Sequence, residues 1–534
     1  MRLQWCVWVI VAQYCAFGGV AVAQFDPTKV YVESEAVAAQ FPDPAVRYAT
    51  PSLRADRRDF ASHAEVIEFG EALAKASPHT RLETIGRSQK NLPILMLVFA
   101  QNGVVDAARP VVLIIAQQHG NEPASGEAAL AIAHTLVHAR AELLKNVTVL
   151  IIPRANPDGA EKFARATANG IDVNRDHLLL RTPEAQAIAR VTAQYKPHVV
   201  LDLHEFTVGG RWIDKFGVVQ KYDALIQTTS VGNMDLALSQ FSEKAFTEPI
   251  RKAWSGAGLS GFHYHTTSPN AQDKVVSMGG VQPDTGRNVA GLRPAVSILI
   301  EVRGVGLGRA HLLRRVHTQV VAAISVFETV AQLGSKVNVA VAQAGARVQA
   351  RACEGELVVA AKHTASKNTL EFLDAKSGQT REMEVPWMNA LALDVQRTRA
   401  NACGYVLDAS QTPAIEKLKL LGARMHTLTQ AQTWSVERYA VRAASAGRRQ
   451  DARGDIDDGG GGIEVVEVDL QAATLLIPAG AVYAPLDQPL AALIAAALEP
   501  DSQSSFAANK LLEIGDDKLL RVRKLPDGLR FAVN

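Results

Sequence analysis

Short apolar runs alternate with helix-like stretches between about residues 80 and 330. Pro110–Ala116 (PVVLIIA), Val147–Ile152 (VTVLII), Val199–Leu203 (VVLDL) and Val296–Ile300 (VSILI) are short and β-branched. A strand with one wet face alternates apolar and polar positions. These runs do not, so they read as strands buried on both faces. Ala124–Leu144 and Glu184–Tyr195 carry helical spacing. Strands alternating with helices predict an α/β fold with a mixed, largely parallel sheet flanked by helices. Residues 24–79 read as a lead-in with one helix near 62–76.

From about residue 336 the pattern changes to short strands, such as Val337–Ala342 and Leu357–Ala361, between polar turns. A helix is expected near 413–421. The prediction is a catalytic domain over 24–335 and a smaller, mostly β accessory domain over 336–534. Residues 442–462 (RAASAGRRQDARGDIDDGGGG) have little apolar content and read as a flexible loop. Their charges fit a solvated loop better than a calcium site, because no Glu follows at the required spacing.

The amino terminus reads as an export signal. Arg2 precedes an apolar stretch at residues 5–17, and Ala21-Val22-Ala23 has the small-x-small form of a cleavage site. Residues 1–23 are therefore expected to be removed and the mature protein to be periplasmic or secreted. No later segment reaches the roughly 20 apolar residues that span a bilayer, so no membrane association is expected after cleavage. Cleavage takes Cys6 and Cys15 with it. Cys353 and Cys403 remain, and an oxidising compartment would let them form one disulfide. The 56 Lys and Arg against 54 Asp and Glu leave a net charge of +2. That is no basic excess for a phosphate backbone, and nucleic acid is not expected as a partner.

The candidate chemistry sits at strand ends. Gln118-His119-Gly120-Asn121-Glu122-Pro123 follows one buried strand and opens a helix. An H-x-x-E pair across such a turn can place an imidazole and a carboxylate on one ion, and both are ordinary zinc ligands. Asp202-Leu203-His204-Glu205 ends another strand. His204 completes a His2Glu set with an open fourth position, the catalytic rather than the structural pattern. Glu205 competes with Glu122 as the carboxylate ligand. Glu122 is preferred, because adjacent strand residues point to opposite faces. Asn156-Pro157-Asp158-Gly159 is a turn signal. Arg165 and Arg175 bring guanidinium forks suited to a carboxylate or a developing oxyanion. Glu301 ends an apolar strand, where a carboxylate is costly unless paired or functional, and it is the candidate base for a zinc-activated water.

Taken in order, these pieces resemble the carboxypeptidase A-type zinc peptidases: H-x-x-E after a strand, NPDG, an Arg, D-x-N-R, a strand-end His and a strand-end Glu. The resemblance covers roughly 80–330. It implies one catalytic zinc ion on His119, Glu122 and His204, with Asp172 orienting the first histidine. It implies Arg165 polarising the scissile carbonyl, Asn174 and Arg175 gripping the substrate's terminal carboxylate, and Glu301 as general base and acid. The substrate would be a peptide with a free carboxyl terminus. The family's mobile tyrosine has its best candidate in Tyr264. Gln282–Asn288, in the family's specificity stretch, holds both Asp284 and Arg287 and does not declare a preference.

The His-Gly-Asn-Glu-Pro run also resembles the aspartoacylase and desuccinylase branch. A zinc amidohydrolase acting on acylated amino acids is thus an alternative, as is a non-catalytic binding relative. Export and the long carboxy-terminal region argue against the first, and the presence of Glu301 with Arg165 against the second. His134 and His138 are four apart on a predicted helix, but no Glu follows His134, so the H-E-x-x-H form is absent.

Overall fold

Eight strands form the main sheet: β1 (Thr80–Arg87), β2 (Pro93–Phe99), β3 (Val111–Ala116), β4 (Thr148–Ile152), β5 (Val199–Thr207), β6 (Ala224–Thr228), β7 (Gly261–His263) and β8 (Val296–Val305). The computed structural model describes residues 25–524. The predicted signal peptide lies outside the described residues. The spatial order is β1-β2-β4-β3-β5-β8-β6-β7. The centre, β4-β3-β5-β8, is parallel, and antiparallel pairs flank it at β1-β2, β2-β4 and β8-β6.

Both faces of this centre are dry, which is why its strands carry no polar alternation. Val112, Ile114, Leu201, Leu203, Ile298 and Ile300 join one core with helices Pro123–His138 and Leu312–Gln349. Leu113, Ile115, Leu150, Ile152 and Val200 join another core with helix Pro183–Tyr195. The sheet is thus sandwiched between helical layers, as the strand-helix alternation predicts. The lead-in helix, His63–Ala76, starts at a capping box in which Ser62 and Glu65 satisfy each other's backbone N–H groups.

Three expectations about the carboxy-terminal half change. Val337–Ala342 is not a strand. It lies inside the 38-residue helix Leu312–Gln349, whose apolar face covers the sheet. Short β-branched runs cannot be told from buried helix by periodicity alone. The same helix crosses the proposed boundary at 335/336, so one continuous element joins the two regions. By length and composition it is also apolar enough to cross a membrane, although half of its most apolar stretch is buried inside the protein.

Beyond it the chain is mostly β. Two long antiparallel hairpins, Glu356–Asp374 with Thr380–Ala400 and Gln432–Gly447 with Ile463–Ile477, carry it, with a helix at Thr412–Leu420. The third change concerns residues 442–462. Their first part belongs to the strand Gln432–Gly447, and their middle forms a small hairpin, Gln450–Asp451 with Gly454–Asp455. Cys353 and Cys403 are bonded, with Cα atoms 4.2 Å apart.

Several histidines tie stability to pH, His63 and His265 among them. Burial pulls both His63 and His265 down to about 4 from an ordinary value of 6.5. Between those values the unfolded chain binds protons that the folded chain refuses. Stability therefore falls as pH drops through that window. Each histidine contributes up to about 1.4 kcal/mol per pH unit. The melting temperature should decline from pH 6.5 toward pH 4, and less steeply in His265→Gln. A melting temperature flat across that range would contradict this.

Candidate metal and catalytic centre

The turn that carries the first two candidate ligands is locked against a second turn. After β3, Gln117 takes a left-handed φ of 49°, and the chain enters helix Pro123–His138 with Pro123 in its first turn. A Cβ on Gly120 would stand 1.9 Å from the backbone of Gly159, so only glycine lets the turns meet. Asn156 fastens the second turn. Its side chain accepts from the Gly159 N–H at 2.9 Å and donates to the Gln118 carbonyl at 3.1 Å.

The sheet supplies the rest. On β5, Asp202 and His204 share one face, while Leu203 and Glu205 point to the other. Glu301 of β8 is the register partner of His204, which puts both side chains on the same face. Glu205 is spent elsewhere. It forms a buried ion pair with Arg315 of the long helix and accepts from the Ala124 N–H at 2.5 Å. It is therefore absent from the candidate ligand cluster.

His119, Glu122 and His204 converge, their ligand atoms all within 4.8 Å of one another and all three residues buried. Glu122 reaches His119 Nδ1 with one carboxylate oxygen and His204 Nδ1 with the other, each at 2.8 Å. The two Nδ1 atoms face each other at 3.1 Å. Each imidazole turns its Nε2 to a carboxylate, His119 to Asp172 at 3.0 Å and His204 to Asp202 at 2.8 Å. This arrangement is the one that orients metal-bound histidines.

Three lone-pair donors aimed at one point require a positive charge between them. Burial pulls His204 down, but Asp202 and Glu122 outweigh burial and hold it well above its ordinary value. Two neutral imidazoles and a carboxylate with an open side are a fitting donor set for zinc.

The other predicted residues surround this cluster. Arg165, Asn174, Arg175, Tyr264 and Glu301 line one cleft together with His119. Arg165 donates to Asp172 Oδ2 through Nη2 at 2.8 Å and Nε at 3.2 Å, while its Nη1 lies 3.4 Å from Glu122. Burial pushes Asp172 up, but Arg165 and His119 outweigh it and keep the carboxyl well below its usual range.

Asn174 is turned inward. It accepts from the Gly286 N–H at 2.8 Å, and its amide nitrogen lies 3.0 Å from His204 Nε2. Arg175 is not left open either: its Nε donates to Asp451 at 3.0 Å and its Nη1 to the Asn174 carbonyl at 2.7 Å. Burial pushes Glu301 up to about 7, with Glu122 adding to the effect and His204 opposing it. Burial likewise raises the Tyr264 hydroxyl.

Sequence reasoning left several of these residues without a role. Asp202 was legible in principle, two residues before His204 on the same strand face. Gln118, which donates to Asp202 at 2.5 Å, adjoins the first ligand. Asp451 and Arg453 gave no signal. They belong to the stretch expected to be a flexible loop, yet that hairpin reaches across and forms part of the cleft wall.

The zinc carboxypeptidase family profile matches residues 66–208. Among curated proteins, Carboxypeptidase 2 of Trichophyton rubrum is 28% identical over 400 residues, covering 74% of this chain and 73% of that one. Carboxypeptidase E of Caenorhabditis elegans is 31% identical over 129 residues, covering 20% and 27%. Among solved structures, the metallo-carboxypeptidase from Burkholderia cenocepacia aligns at 19% identity and a TM-score of 0.39, covering 50% and 69%. These comparisons do not favour the amidohydrolase reading.

The two glutamates that compete for the ligand role, Glu122 and Glu205, should separate cleanly. Elemental analysis of the purified chain should give one zinc per molecule, and Glu122→Ala should lose it. Asp172→Ala should weaken zinc binding by about 10–100-fold, as loss of an orienting partner does. Glu205→Ala should keep zinc but lower stability by about 3–5 kcal/mol, because Arg315 is left buried and unpaired. Zinc retained in Glu122→Ala and lost in Glu205→Ala would reverse the assignment.

Proposed function

We propose that this chain, which belongs to the zinc carboxypeptidase family, is an exported metallocarboxypeptidase that removes carboxy-terminal residues from peptides. The observation that carries the reading is the pairing of an open His2Glu cluster with a buried carboxylate, Glu301, across one strand register.

His119, Glu122 and His204 would hold the zinc ion, with Asp172 and Asp202 fixing the two rings. Bound there, zinc supplies Lewis-acid polarisation of the scissile carbonyl and activation of water. Glu301 takes the proton from the attacking water and passes it to the leaving amine. Its raised pKa suits both halves of that exchange. Among the described residues no hydrogen bond ties the Glu301 carboxylate down. Arg165 sits beside the cluster, where its guanidinium stabilises charge developing on the carbonyl oxygen. Asn174 and Arg175 mark the side of the cleft toward which the peptide's terminal carboxylate is drawn. Tyr264 closes the wall near Glu301 and shields the reacting bond from bulk water. Export is supported by the signal-like amino terminus and by the Cys353–Cys403 bridge, which belongs to an oxidising compartment.

Glu301→Gln should keep zinc and lose turnover by at least about 10²–10⁴-fold, the usual worth of a general acid–base group. The wild-type enzyme should cleave free-acid peptides far better than their carboxy-terminal amides. Substantial turnover in Glu301→Gln would show that the base is misassigned, and equal cleavage of acid and amide would exclude a carboxypeptidase.

A further inference from the structure

The residues expected to grip a terminal carboxylate are already engaged. Arg175 gives its Nε and Nη2 to Asp451 and its Nη1 to the Asn174 carbonyl. Asn174 is committed to Gly286 and to the Asp202–His204 pair. Arg165 is held by Asp172. Arg287 is 3% exposed and donates to the Gly280 carbonyl at 2.7 Å. One guanidinium on the cleft wall differs. Arg453, at the tip of the 450–455 hairpin, lies beside Glu301 and Tyr264 with a quarter of its side chain exposed, as Arg165 has, but is held less tightly. Among the described residues, its guanidinium makes one hydrogen bond, a long one of 3.4 Å to Asp451, and a loose ion pair with Asp172 at 4.0 Å.

The hairpin is fastened, not resting. The Asp172 N–H donates to the Asp457 carbonyl at 2.9 Å, and Gly459 N–H to the Gly170 carbonyl at 3.2 Å. Ile171 and Asp458 form an isolated antiparallel bridge. Arg449, wholly buried, donates to the Arg175 carbonyl at 2.6 Å and to Asp284 at 2.8 Å. Asp451 also accepts from the Arg453 N–H at 2.7 Å. The hairpin is therefore tied on both sides to the segment that carries Asp172 and Arg175. A loop built to be displaced by substrate would not spend buried charge pairs and backbone bonds on its seat.

We infer that Arg453, delivered by the carboxy-terminal region, is the substrate-binding residue that contacts the peptide's terminal carboxylate, and that the Arg175–Asp451 pair is the anchor that positions it. This rests on the carboxypeptidase reading above. Asp451 neutralises Arg175 and fixes the hairpin tip. The planar fork of Arg453, with most of its N–H groups unspent, is the cation left to meet a carboxylate in two-point fashion. The catalytic centre is then incomplete without residues 450–455, although every zinc ligand lies at or before residue 204.

The test uses the zinc-loaded full chain and one peptide in free-acid and carboxy-terminal amide forms. Arg453→Ala should cut the free-acid to amide ratio of kcat/KM by about 10–100-fold, the scale of a charge-assisted hydrogen bond. The loss should fall mainly on KM, and Arg453→Lys should recover part of it. Asp451→Ala should raise KM for the free acid, and Asp451→Asn, which keeps an acceptor for Arg175, should raise it less. Zinc content and melting temperature show that each variant is folded.

An Arg453→Ala enzyme that keeps its free-acid preference overturns the inference while leaving the carboxypeptidase reading intact. A lower KM in Asp451→Ala also overturns it, because Asp451 would then be a plug competing with substrate. A wild-type enzyme indifferent to amidation overturns the carboxypeptidase reading, and this inference with it.

Discussion

Two imidazole nitrogens and a carboxylate, all buried and all aimed at one point, are the constraint from which the rest of the molecule follows. Lone pairs brought that close repel unless a cation lies between them, and a dry surrounding makes the repulsion expensive. The protein answers with a graded set of charges. Glu122 bridges the two histidines, Asp172 and Asp202 hold their far nitrogens, and Arg165 balances Asp172. Remove the positive centre and three buried carboxylates surround two rings with nothing to gather them. A zinc ion would supply that centre, and the chemistry proposed for Glu301 depends on the same concentration of charge.

The sheet makes this possible through alternation of faces. On β5, odd-numbered Leu201 and Leu203 enter the helix-covered core, and Glu205 on the same face meets Arg315 of the long helix. Asp202 and His204 point the other way, beside Glu301 of the neighbouring strand. A one-residue slip of β5 would put the wrong carboxylate in the site and bury a histidine in the apolar core, and a slip of β8 would put Ile300 or Val302 in the place of Glu301. The apolar face of helix Leu312–Gln349 thus does more than cover the sheet. It holds the register that pairs the candidate metal ligand His204 with Glu301, the proposed base.

Much of this was legible in the residues because it is local. The buried strands announced themselves as β-branched runs, the H-x-x-E turn by its Gly and Pro, and the choice of Glu122 over Glu205 by strand alternation. What escaped was long-range or ambiguous in period. Val337–Ala342 looks like a strand in isolation, and only its continuity with the preceding turns of helix shows otherwise. The hairpin at 450–455 could not be read at all. Its composition is that of a solvated loop, and its order comes from partners near 170–175 and 284, far away in sequence. Arg175 was read as an open clamp for the same reason, since nothing local reveals that Asp451 meets it.

The central claim is that one zinc-centred site frees single residues from peptide carboxyl termini. Mass spectrometry of a mixed free-acid peptide library, incubated with the full chain, tests it most directly. The account predicts stepwise loss of one carboxy-terminal residue at a time, abolished by a chelator and restored by added zinc. Internal cleavage, loss from the amino terminus, or turnover that survives complete removal of the metal would contradict it.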